Sequence, residues 1–443
     1  MNAVPKVLLI QPTQRGPGGV LCKQRKIYLP GLAFPLLTAI TPDDWQVEFK
    51  LEVVDDLDYD ADVDLVGIGT MGHAAFRGLE IAAEYKKRGK TVFFGGYMAS
   101  MMADEALKHG DSVVRGDAEV SFPQLLRDFA KNGRIERVYD HPIADLNGLP
   151  LPRYDLLVQK PIGDRLPVMA GRGCPHLCSF CSIACLYQGR YLTRKLDEVL
   201  RDIDEVRRLG FRCFYLIDDN IVGNPGFLEQ LCKEIEPLKL RWSSQCSLQL
   251  ARNPRLLELV ARAGCEILSL GLESINQAGL DQLGKQWVKV DEHEKLLARF
   301  RDAGIMASSE MMVGIDSDTE ASIAETARFI ERTRIPIPRF YILTPMPGSE
   351  LFAQYKREGR LLHEDFHKYD GTTCVHRPAQ IAPERLTELY WWLNRRVFSL
   401  WNILRRTVLT TEIFKHPARQ LFALVVNLHY RKYIRQGVPP NIF

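Results

Sequence analysis

The sequence of 443 residues predicts an α/β protein with two parallel-sheet domains and a helical C-terminal region. Three observations carry this prediction. Strand and helix signals alternate over residues 1–141, six further strand–helix units follow between 167 and 375, and residues 376–443 contain no strand signal. With 46% hydrophobic and 26% charged residues, the composition is that of a globular chain and excludes wholesale disorder or a coiled-coil filament.

The first domain, residues 1–141, shows short apolar strands that alternate with helices. The strand signals are KVLLI (6–10), WQVEFKLEVVDD (45–56), DLVGIGT (64–70), TVFFGG (91–96) and SVVRG (112–116). A helix is predicted over 74–89, because basic residues fill its last turn and Gly89 supplies a stop. This alternation predicts a Rossmann-like parallel sheet with helices on both faces.

Small and polar residues gather where these strands end. Ligands of such sheets bind beyond the carboxyl ends of the strands, and glycines there let a ligand approach the backbone closely. The candidate ligand-binding residues of the first domain are therefore Thr13, Gly69, Thr70, Met71, His73, Gly95, Gly96, Tyr97, Gly116 and Glu119.

Residues 142–166 contain four prolines and are predicted to link the first domain to a second one at 167–375. The strand signals of the second domain lie at 167–171, 213–219, 242–250, 266–274, 306–315 and 339–348. A complete eight-stranded barrel uses ~250 residues, so six units in a shorter stretch predict a partial barrel that is open on one side. Active sites of such barrels lie at the carboxyl ends of the strands.

Three cysteines follow the first barrel strand in the run Gly171-Arg-Gly-Cys174-Pro-His-Leu-Cys178-Ser-Phe-Cys181. In a chain without a secretory signal pattern, a tight cluster is typical of metal or redox chemistry rather than of disulfides. Three thiolates on a four-iron cube leave one iron free to bind a ligand. The alternative is a structural zinc site with Cys185 as fourth ligand, although zinc ligands usually come in two pairs set a dozen or more residues apart.

The Cys-x3-Cys-x2-Cys motif, with the aromatic Phe180 before its last cysteine, resembles that of the radical S-adenosylmethionine (radical SAM) superfamily. The resemblance implies that Cys174, Cys178 and Cys181 bind a [4Fe–4S] cluster. The open iron would bind the amino and carboxylate groups of S-adenosylmethionine, and one electron would release a 5′-deoxyadenosyl radical. That electron implies a donor such as a flavodoxin or ferredoxin.

Polar residues near the later strand ends are the candidates for binding S-adenosylmethionine. They are Asp218, Asp219, Asn220, Gln245, Ser247, Glu273, Lys285 and Glu310. The two Asp carboxylates are candidates for the cationic amino group, and Glu273 for the ribose hydroxyls. The alternatives are a helix N-cap for residues 218–220 and salt bridges within the barrel for Gln245, Lys285 and Glu310.

The first domain resembles the cobalamin-binding domain that precedes this barrel in a subfamily that includes hopanoid methylases and bacteriochlorophyll-type enzymes. Residues 67–100 and 112–126 carry this resemblance, and residues 28–47 and 344–362 also resemble that subfamily. It implies that the ten strand-end residues of the first domain bind cobalamin. The Asp-x-His-x-x-Gly motif of classical cobalamin proteins is absent, so no lower axial ligand of the cobalt is assigned.

These resemblances imply a cobalamin-dependent radical SAM methyltransferase acting on an unactivated carbon of a hydrophobic or biosynthetic small molecule. The alternative within the same architecture is a cyclisation, rearrangement or oxidation without methyl transfer. A non-catalytic cobalamin- or zinc-binding regulator is the alternative from another class. A methylthiotransferase would need a second cysteine-bound cluster in the first domain, where Cys22 is the only cysteine.

Residues 376–443 are predicted to form helices at 389–406 and 416–435. The segment 385–435 holds ten Lys or Arg and two Asp or Glu, interleaved with Trp and Phe. Two interpretations stay open, namely a helical cap on the barrel and peripheral contact with an anionic membrane or an apolar substrate. Nucleic acid is not an expected partner, because no recognition motif accompanies the charge. No apolar run approaches the ~18 residues of a membrane span, so a cytoplasmic protein is expected.

Overall fold

The computed structural model describes residues 4–438, which divide into two compact units. The first unit comprises the chain up to Met169 together with Asp197–Phe211, and the second comprises Ala170–Leu196 and the chain from Arg212 onward. The strands are β1 (Lys6–Gln11), β2 (Gln46–Leu51), β3 (Leu65–Gly69), β4 (Thr91–Gly95), β5 (Ser112–Val114), β6 (Val138–Tyr139), β7 (Arg165–Met169), β8 (Gly171–Gly173), β9 (Tyr191–Thr193), β10 (Cys213–Ile217), β11 (Arg241–Cys246), β12 (Cys265–Glu273), β13 (Met306–Val313) and β14 (Ile337–Ile342).

The helices alternate with these strands and then close the chain. They are α1 (Ala33–Ala39), α2 (Ala74–Lys87), α3 (Tyr97–Met101), α4 (Ala103–Ala106), α5 (Ala118–Asn132), α6 (Tyr154–Leu157), α7 (Ser182–Tyr187), α8 (Leu196–Arg208), α9 (Pro225–Ile235), α10 (Pro254–Arg262), α11 (Gln277–Gln282), α12 (His293–Asp302), α13 (Glu320–Thr333), α14 (Glu350–Arg357), α15 (Pro383–Val397), α16 (Leu400–Thr407), α17 (Glu412–Lys415) and α18 (Pro417–Arg435).

The first unit contains a six-stranded parallel sheet in the order β2-β1-β3-β4-β5-β6. After β2 the chain crosses to the other side of β1, so the switch point of the sheet lies between β1 and β3. In open parallel sheets, ligands bind in the crevice beyond the carboxyl ends of the strands at such a point. Helix α2 packs on β3 and β4 with Ile81, Ala82 and Tyr85 in the buried core.

The second unit contains a parallel sheet in which the strands follow one another in the order β10-β11-β12-β13-β14. Helices α9, α10, α12 and α13 connect successive strands, which is the repeating unit of a parallel barrel. The chain ends in helices α15 to α18. The predicted α/β class with parallel sheets and a helical C-terminal region is therefore confirmed.

A short antiparallel pair, β8 with β9, is a feature that the sequence pattern did not indicate. Three residues on each strand are too few to show a periodicity. The pair closes the segment 174–190, which contains the three clustered cysteines. Gly173 has φ +85°, and a Cβ there would lie 2.2 Å from the carbonyl oxygen of Arg190, so only glycine fits this position.

The helix predicted at 389–406 is divided into α15 and α16. Ser399 begins the second of these helices, where its Oγ accepts a hydrogen bond from the N–H of Asn402 at 3.4 Å. The helix predicted at 416–435 is present as α18. Within residues 4–438, no helix has the length and apolar character needed to cross a membrane.

We expect Ile81→Ala to destabilise the first unit strongly. Ile81 is fully buried between α2 and the sheet, and removing such a side chain costs about 2–5 kcal/mol of unfolding free energy through lost burial and the cavity it leaves. The matched control is Val120→Ala on the exposed side of α5, where a change within about 0.5 kcal/mol is expected. Urea unfolding followed by circular dichroism measures both, and equal losses would contradict the packing described here.

Candidate functional site

The clustered cysteines lie in the second unit between β8 and α7. Cys174 follows the last residue of β8, and Cys181 occupies the N-cap position of α7. The loop is held by its backbone, because the N–H of Ser179 donates to Leu283 O at 3.1 Å and the N–H of Leu351 donates to Ser179 O at 2.9 Å. Phe180 packs against the apolar cluster that includes Leu283 and Leu351.

The three thiols occupy one largely buried space. All ten cysteines are free thiols, so no disulfide competes for these three. Burial, with smaller contributions from the charges of Cys181, Glu273 and Cys174, raises the pKa of Cys178 to about 12, although Lys285 lowers it. Burial also raises the pKa of Cys174 and of Cys181. Thiolates so buried need a cationic partner, and a bound metal cluster supplies it.

Asp219 and Asn220 tie this loop to the end of β10. The N–H of Gly173 donates to Asp219 Oδ2 at 2.7 Å. Asn220 Nδ2 donates to Cys174 Sγ at 3.7 Å, and Asn220 Oδ1 accepts from the N–H of Ser247 at 3.1 Å. Asn220 therefore bridges the first cysteine and the end of β11.

Asp218 is only 3% exposed, and both of its oxygens accept hydrogen bonds from the protein. Tyr191 O–H donates to Oδ2 at 2.7 Å, and the N–H of Asn220 donates to Oδ1 at 2.8 Å. Burial raises the pKa of Asp218 to about 7 although these two hydrogen bonds lower it. The N-cap of α9 is Asn224, so the interpretation of residues 218–220 as a helix cap is wrong.

Glu273 and Lys285 form a buried ion pair at the end of β12. Lys285 Nζ lies 2.8 Å from Glu273 Oε1 and donates to Gly271 O at 3.2 Å. Burial alone would lower the pKa of Lys285. The negative charge of Glu273 opposes this effect, and the pKa of Lys285 is raised overall. Glu273 has φ +60°, an unusual backbone for a residue with a side chain and one that clusters at functional sites. The salt-bridge alternative for Lys285 therefore describes its contacts, with Glu273 as the partner.

The remaining candidates of the second unit differ in how many hydrogen-bond partners the protein itself gives their side chains. Glu310 Oε1 accepts from Ser269 Oγ at 2.7 Å and pairs with the Arg339 guanidinium, as the salt-bridge alternative expected. Ser247 Oγ is buried and has no hydrogen-bond partner among the described residues. Gln245 is half-buried in β11, two residues before Ser247. An orphaned hydroxyl beside Asn220 fits a site that a polar ligand completes.

Sequence reasoning missed several residues that contact this site. Tyr191, Ser269 and Arg339 are brought in by tertiary contacts that leave no local signal. His176 stands inside the cysteine motif and its ring stacks on that of Trp287, with centroids 3.7 Å apart. The position of His176 between two cysteines was the one signal from which a role near the site could have been inferred.

In the first unit, the ends of β3 and β4 are clamped to each other. The N–H and the hydroxyl of Thr70 both donate to Gly95 O at 2.7 Å, and Thr70 O accepts from the N–H of Met98 at 3.1 Å. Gly96 has φ +93°, and a Cβ there would lie 3.2 Å from the Thr70 backbone. The two strand ends therefore form a rigid edge at the carboxyl side of the sheet.

Other candidates of the first unit leave room beyond this edge. A Cβ added at Gly95 or Gly116 would meet nothing within 4 Å, and Met71 is exposed. These open positions fit a large ligand that approaches the backbone. Thr13 is instead engaged internally, since its N–H donates to Glu52 Oε2 at 3.0 Å and its hydroxyl to Cys22 O at 2.7 Å.

The last four candidates stand at or near helix starts. Gly69 ends β3, and a Cβ there would lie 3.2 Å from Gln11 Oε1 at the end of β1. His73 precedes α2, and its ring lies 5.7 Å from that of Phe76. Tyr97 begins α3, and Glu119 lies in the first turn of α5. The structure therefore distributes these residues over the carboxyl ends of β3, β4 and β5.

The cysteines of the second unit bear on the two metal sites that the sequence indicates. In the described part of the chain, no group of three or more His, Cys, Asp or Glu side chains is arranged to hold a metal ion. Cys185, the proposed fourth zinc ligand, donates its thiol to Cys181 O at 3.4 Å within α7. An iron–sulfur cube takes each thiolate on a separate iron, and three thiols on the one segment between β8 and α7 fit that set of donors.

Comparison with known proteins agrees with this site. The Radical SAM superfamily model matches residues 168–330. Bacteriochlorophyllide d C-8(2)-methyltransferase of Chlorobaculum tepidum is 29% identical, over 92% of this chain and 96% of its own length. Bacteriochlorophyllide d C-12(1)-methyltransferase of the same organism is 30% identical, over 77% of this chain and 76% of its own.

A solved structure shows the same fold. It is that of the radical S-adenosylmethionine methyltransferase TsrM from Kitasatospora setae, with a TM-score of 0.68, 16% identity, and coverage of 96% of this chain and 90% of that one. The resemblance recognised in the cysteine motif and in the first domain is therefore confirmed. The chain belongs to the radical SAM enzymes of the cobalamin-binding-domain group, together with the bacteriochlorophyllide methyltransferases.

Proposed function

We propose that the protein is a cobalamin-dependent radical SAM methyltransferase that methylates an unactivated carbon of a hydrophobic small molecule. The observation that carries the proposal is the buried three-thiol loop, tied to the carboxyl ends of β10 and β11 in a chain that aligns with methyltransferases over most of its length. When bound, the cluster and S-adenosylmethionine supply a radical that abstracts hydrogen, and cobalamin supplies the methyl group.

In this proposal, the residues of the cysteine loop bind the cluster and keep it dry. Cys174, Cys178 and Cys181 are its ligands. The Asn220 amide donates to Cys174 Sγ and so favours the thiolate form over the thiol. Phe180 covers the loop from the apolar side, where it packs against the core of the second unit.

The polar groups around the loop would orient S-adenosylmethionine. Lys285 holds one oxygen of Glu273, which leaves the other oxygen to accept hydrogen bonds from the ribose hydroxyls. Ser247 Oγ and Gln245 are assigned to the nucleoside, because the first is a buried hydroxyl without a partner and the second lies two residues before it. Asp218 positions Tyr191, and Glu310 positions Arg339 inside the sheet.

The cobalamin site is assigned to the strand-end residues of the first unit. The clamp between Thr70 and Gly95 gives a rigid edge, and the open positions at Gly95 and Gly116 allow a flat macrocycle to approach the backbone. His73, Tyr97 and Glu119 stand at the starts of the neighbouring helices, where they would contact its periphery.

The partners proposed for this reaction follow from its chemistry and from the relatives. The two methyltransferases of Chlorobaculum tepidum act on bacteriochlorophyllide d, so an apolar tetrapyrrole is the first substrate class to test. A flavodoxin or ferredoxin is proposed as the electron donor. We propose a cytoplasmic location, with peripheral membrane contact through residues 385–435.

The product mass tests the proposed reaction. Protein reconstituted under anaerobic conditions with iron, sulfide, cobalamin, S-adenosylmethionine and a reductant is expected to convert a chlorophyllide or bacteriochlorophyllide into a product heavier by one CH2 unit per transfer. Loss of hydrogen without a gain of CH2 would favour the cyclisation or oxidation alternative. If no S-adenosylmethionine is cleaved, the protein is instead a non-catalytic regulator.

Replacement of single cysteines separates the cluster from a zinc site. Cys181→Ala is expected to lose most of the approximately four irons of the cluster and to abolish deoxyadenosine formation, because a ligand is removed. Cys185→Ala, four residues on, is the matched control and should retain both. Iron and zinc are measured by elemental analysis after anaerobic purification. Equal loss of metal in the two variants would indicate a four-cysteine site.

Asp218 should make the stability of the protein depend on pH. Because burial raises the pKa of Asp218 to about 7, the folded protein favours the neutral carboxyl. The resulting stabilisation is complete below the unfolded pKa of about 3.9 and is lost as pH rises through about 7. Relative to Asp218→Asn, the wild type should therefore lose up to about 4 kcal/mol of unfolding free energy between those two pH values.

Urea unfolding of the metal-free protein at several pH values measures this difference. Asp56→Asn is the matched control, because Asp56 is fully exposed and its substitution should leave the pH profile parallel to that of the wild type. A parallel profile for Asp218→Asn as well would contradict the assignment of a raised pKa to Asp218.

A further inference from the structure

Exposed apolar side chains are concentrated on the last three helices. Of the seventeen large hydrophobic residues exposed in the described chain, nine lie within residues 400–428. They are Leu400, Trp401, Leu404, Leu409, Phe414, Leu421, Phe422, Val425 and Leu428. Such a concentration exceeds the scattered exposure that is normal for a surface and indicates an interaction site.

These residues follow the helical repeat. On α18, Leu421, Val425 and Leu428 recur at spacings of four and three, so they share one face of the helix. The opposite face is buried through Ala423, Val426, Asn427, Tyr430 and Ile434. The apolar face of α18 is therefore its solvent side rather than the side that packs on the protein.

Helix α16 presents a similar face beside it. The two helices pack against each other through their buried sides, where Arg406 donates to Asn427 Oδ1 at 2.8 Å. Trp401, which is 62% exposed, lies on the outer side of α16. Phe414 in α17, between the two helices, is 88% exposed. We call this unit, residues 400–435, the C-terminal hairpin.

Cations extend the apolar face of α18. Lys432 and Arg435 lie four and seven residues beyond Leu428, which places them on the same side of the helix. Together with Leu428, Arg431 and Gln436, they line an open cleft of about 420 Å³. Arg431 is fixed there by a hydrogen bond to Phe398 O at 2.9 Å.

The carboxylates among residues 4–438 do not offset this charge. The sequence contains no Asp or Glu after Glu412. Within residues 4–438, Lys432 and Arg435 do not enter an ion pair. The cleft is therefore a cationic site at the edge of an apolar face.

We propose that the C-terminal hairpin lies flat on an anionic lipid surface, with a lipid phosphate in the cleft of Arg431, Lys432 and Arg435. The inference rests on the membrane contact proposed for residues 385–435 and assigns its residues and its lipid class. An apolar helix face bordered by cations and Trp is the pattern of helices that lie in the membrane interface. A symmetric contact between two copies of this face would bring uncompensated cations together, so charge favours the lipid.

Vesicle sedimentation of the full-length, reconstituted protein tests the inference. The wild type should bind vesicles that contain phosphatidylglycerol more tightly than vesicles of phosphatidylcholine alone, and salt should weaken the binding. Lys432→Gln/Arg435→Gln should weaken binding to the anionic vesicles about thirtyfold, because two cations near the lipid surface are removed. Lys131→Gln/Arg134→Gln, which removes two exposed cations from the end of α5, is the matched control and should bind like the wild type.

The outcomes separate this inference from the proposal on which it rests. If the wild type binds anionic vesicles and the Lys432/Arg435 variant binds equally well, the cleft assignment is overturned while the membrane contact stands. If the wild type binds neither vesicle, the membrane contact itself fails, whereas methyl transfer is judged separately from product mass. If light scattering shows a dimer that Phe414→Ser converts to a monomer, the face is a contact between copies. Should the double variant not fold, Arg435→Gln alone carries the test.

Discussion

The cysteine loop depends on two adjacent carboxylates at the end of β10. Asp219 accepts a hydrogen bond from the N–H of Gly173, which lies just before the loop. Asp218 accepts one from the hydroxyl of Tyr191, which lies just after the loop. Both ends of the segment are thereby fixed to one strand end, and the entropy of closing it is offset by buried hydrogen bonds. Gly171 serves the same arrangement, because a Cβ there would lie 2.8 Å from Asp218 Oδ2.

A second constraint acts near Cys178. Glu273 is held in a left-handed backbone conformation, and its carboxylate is buried against Lys285. Removing either partner of such a pair leaves an uncompensated buried charge, which is far more costly than the pair itself. The protein thus satisfies both oxygens of Asp218, but only one oxygen of Glu273, which pairs with Lys285. Ser247 Oγ, which it leaves unsatisfied, is a buried hydroxyl that a polar ligand would satisfy.

Local patterns predicted the parts of this site that depend on neighbours in the chain. The cysteine spacing, the polar strand ends and the stop of α2 before Gly89 are all of this kind. Tyr191 could not be assigned, because its partner Asp218 lies 27 residues away and only the tertiary fold joins them. Lys285 was expected in a salt bridge or at the cofactor, and periodicity alone could not name Glu273 as its partner. Ser399, in contrast, carried an N-cap signal that would have divided the helix predicted at 389–406.

The C-terminal hairpin differs from an ordinary pair of surface helices, because it buries a charged side chain and exposes several large apolar ones. Arg406 is almost fully buried between the helices, where it donates to Val397 O and to Asn427, and burial lowers its pKa to about 9. The carbonyl of Val397, which accepts one of these hydrogen bonds, lies at the C-terminal end of α15, where carbonyls have no partner within the helix. Its partial negative charge partly compensates the buried charge of Arg406. Phe422 and Val425 meanwhile face water, although each would gain free energy by leaving it. A hairpin that buries an arginine while several large apolar residues stay exposed is the arrangement that the proposed lipid contact would complete.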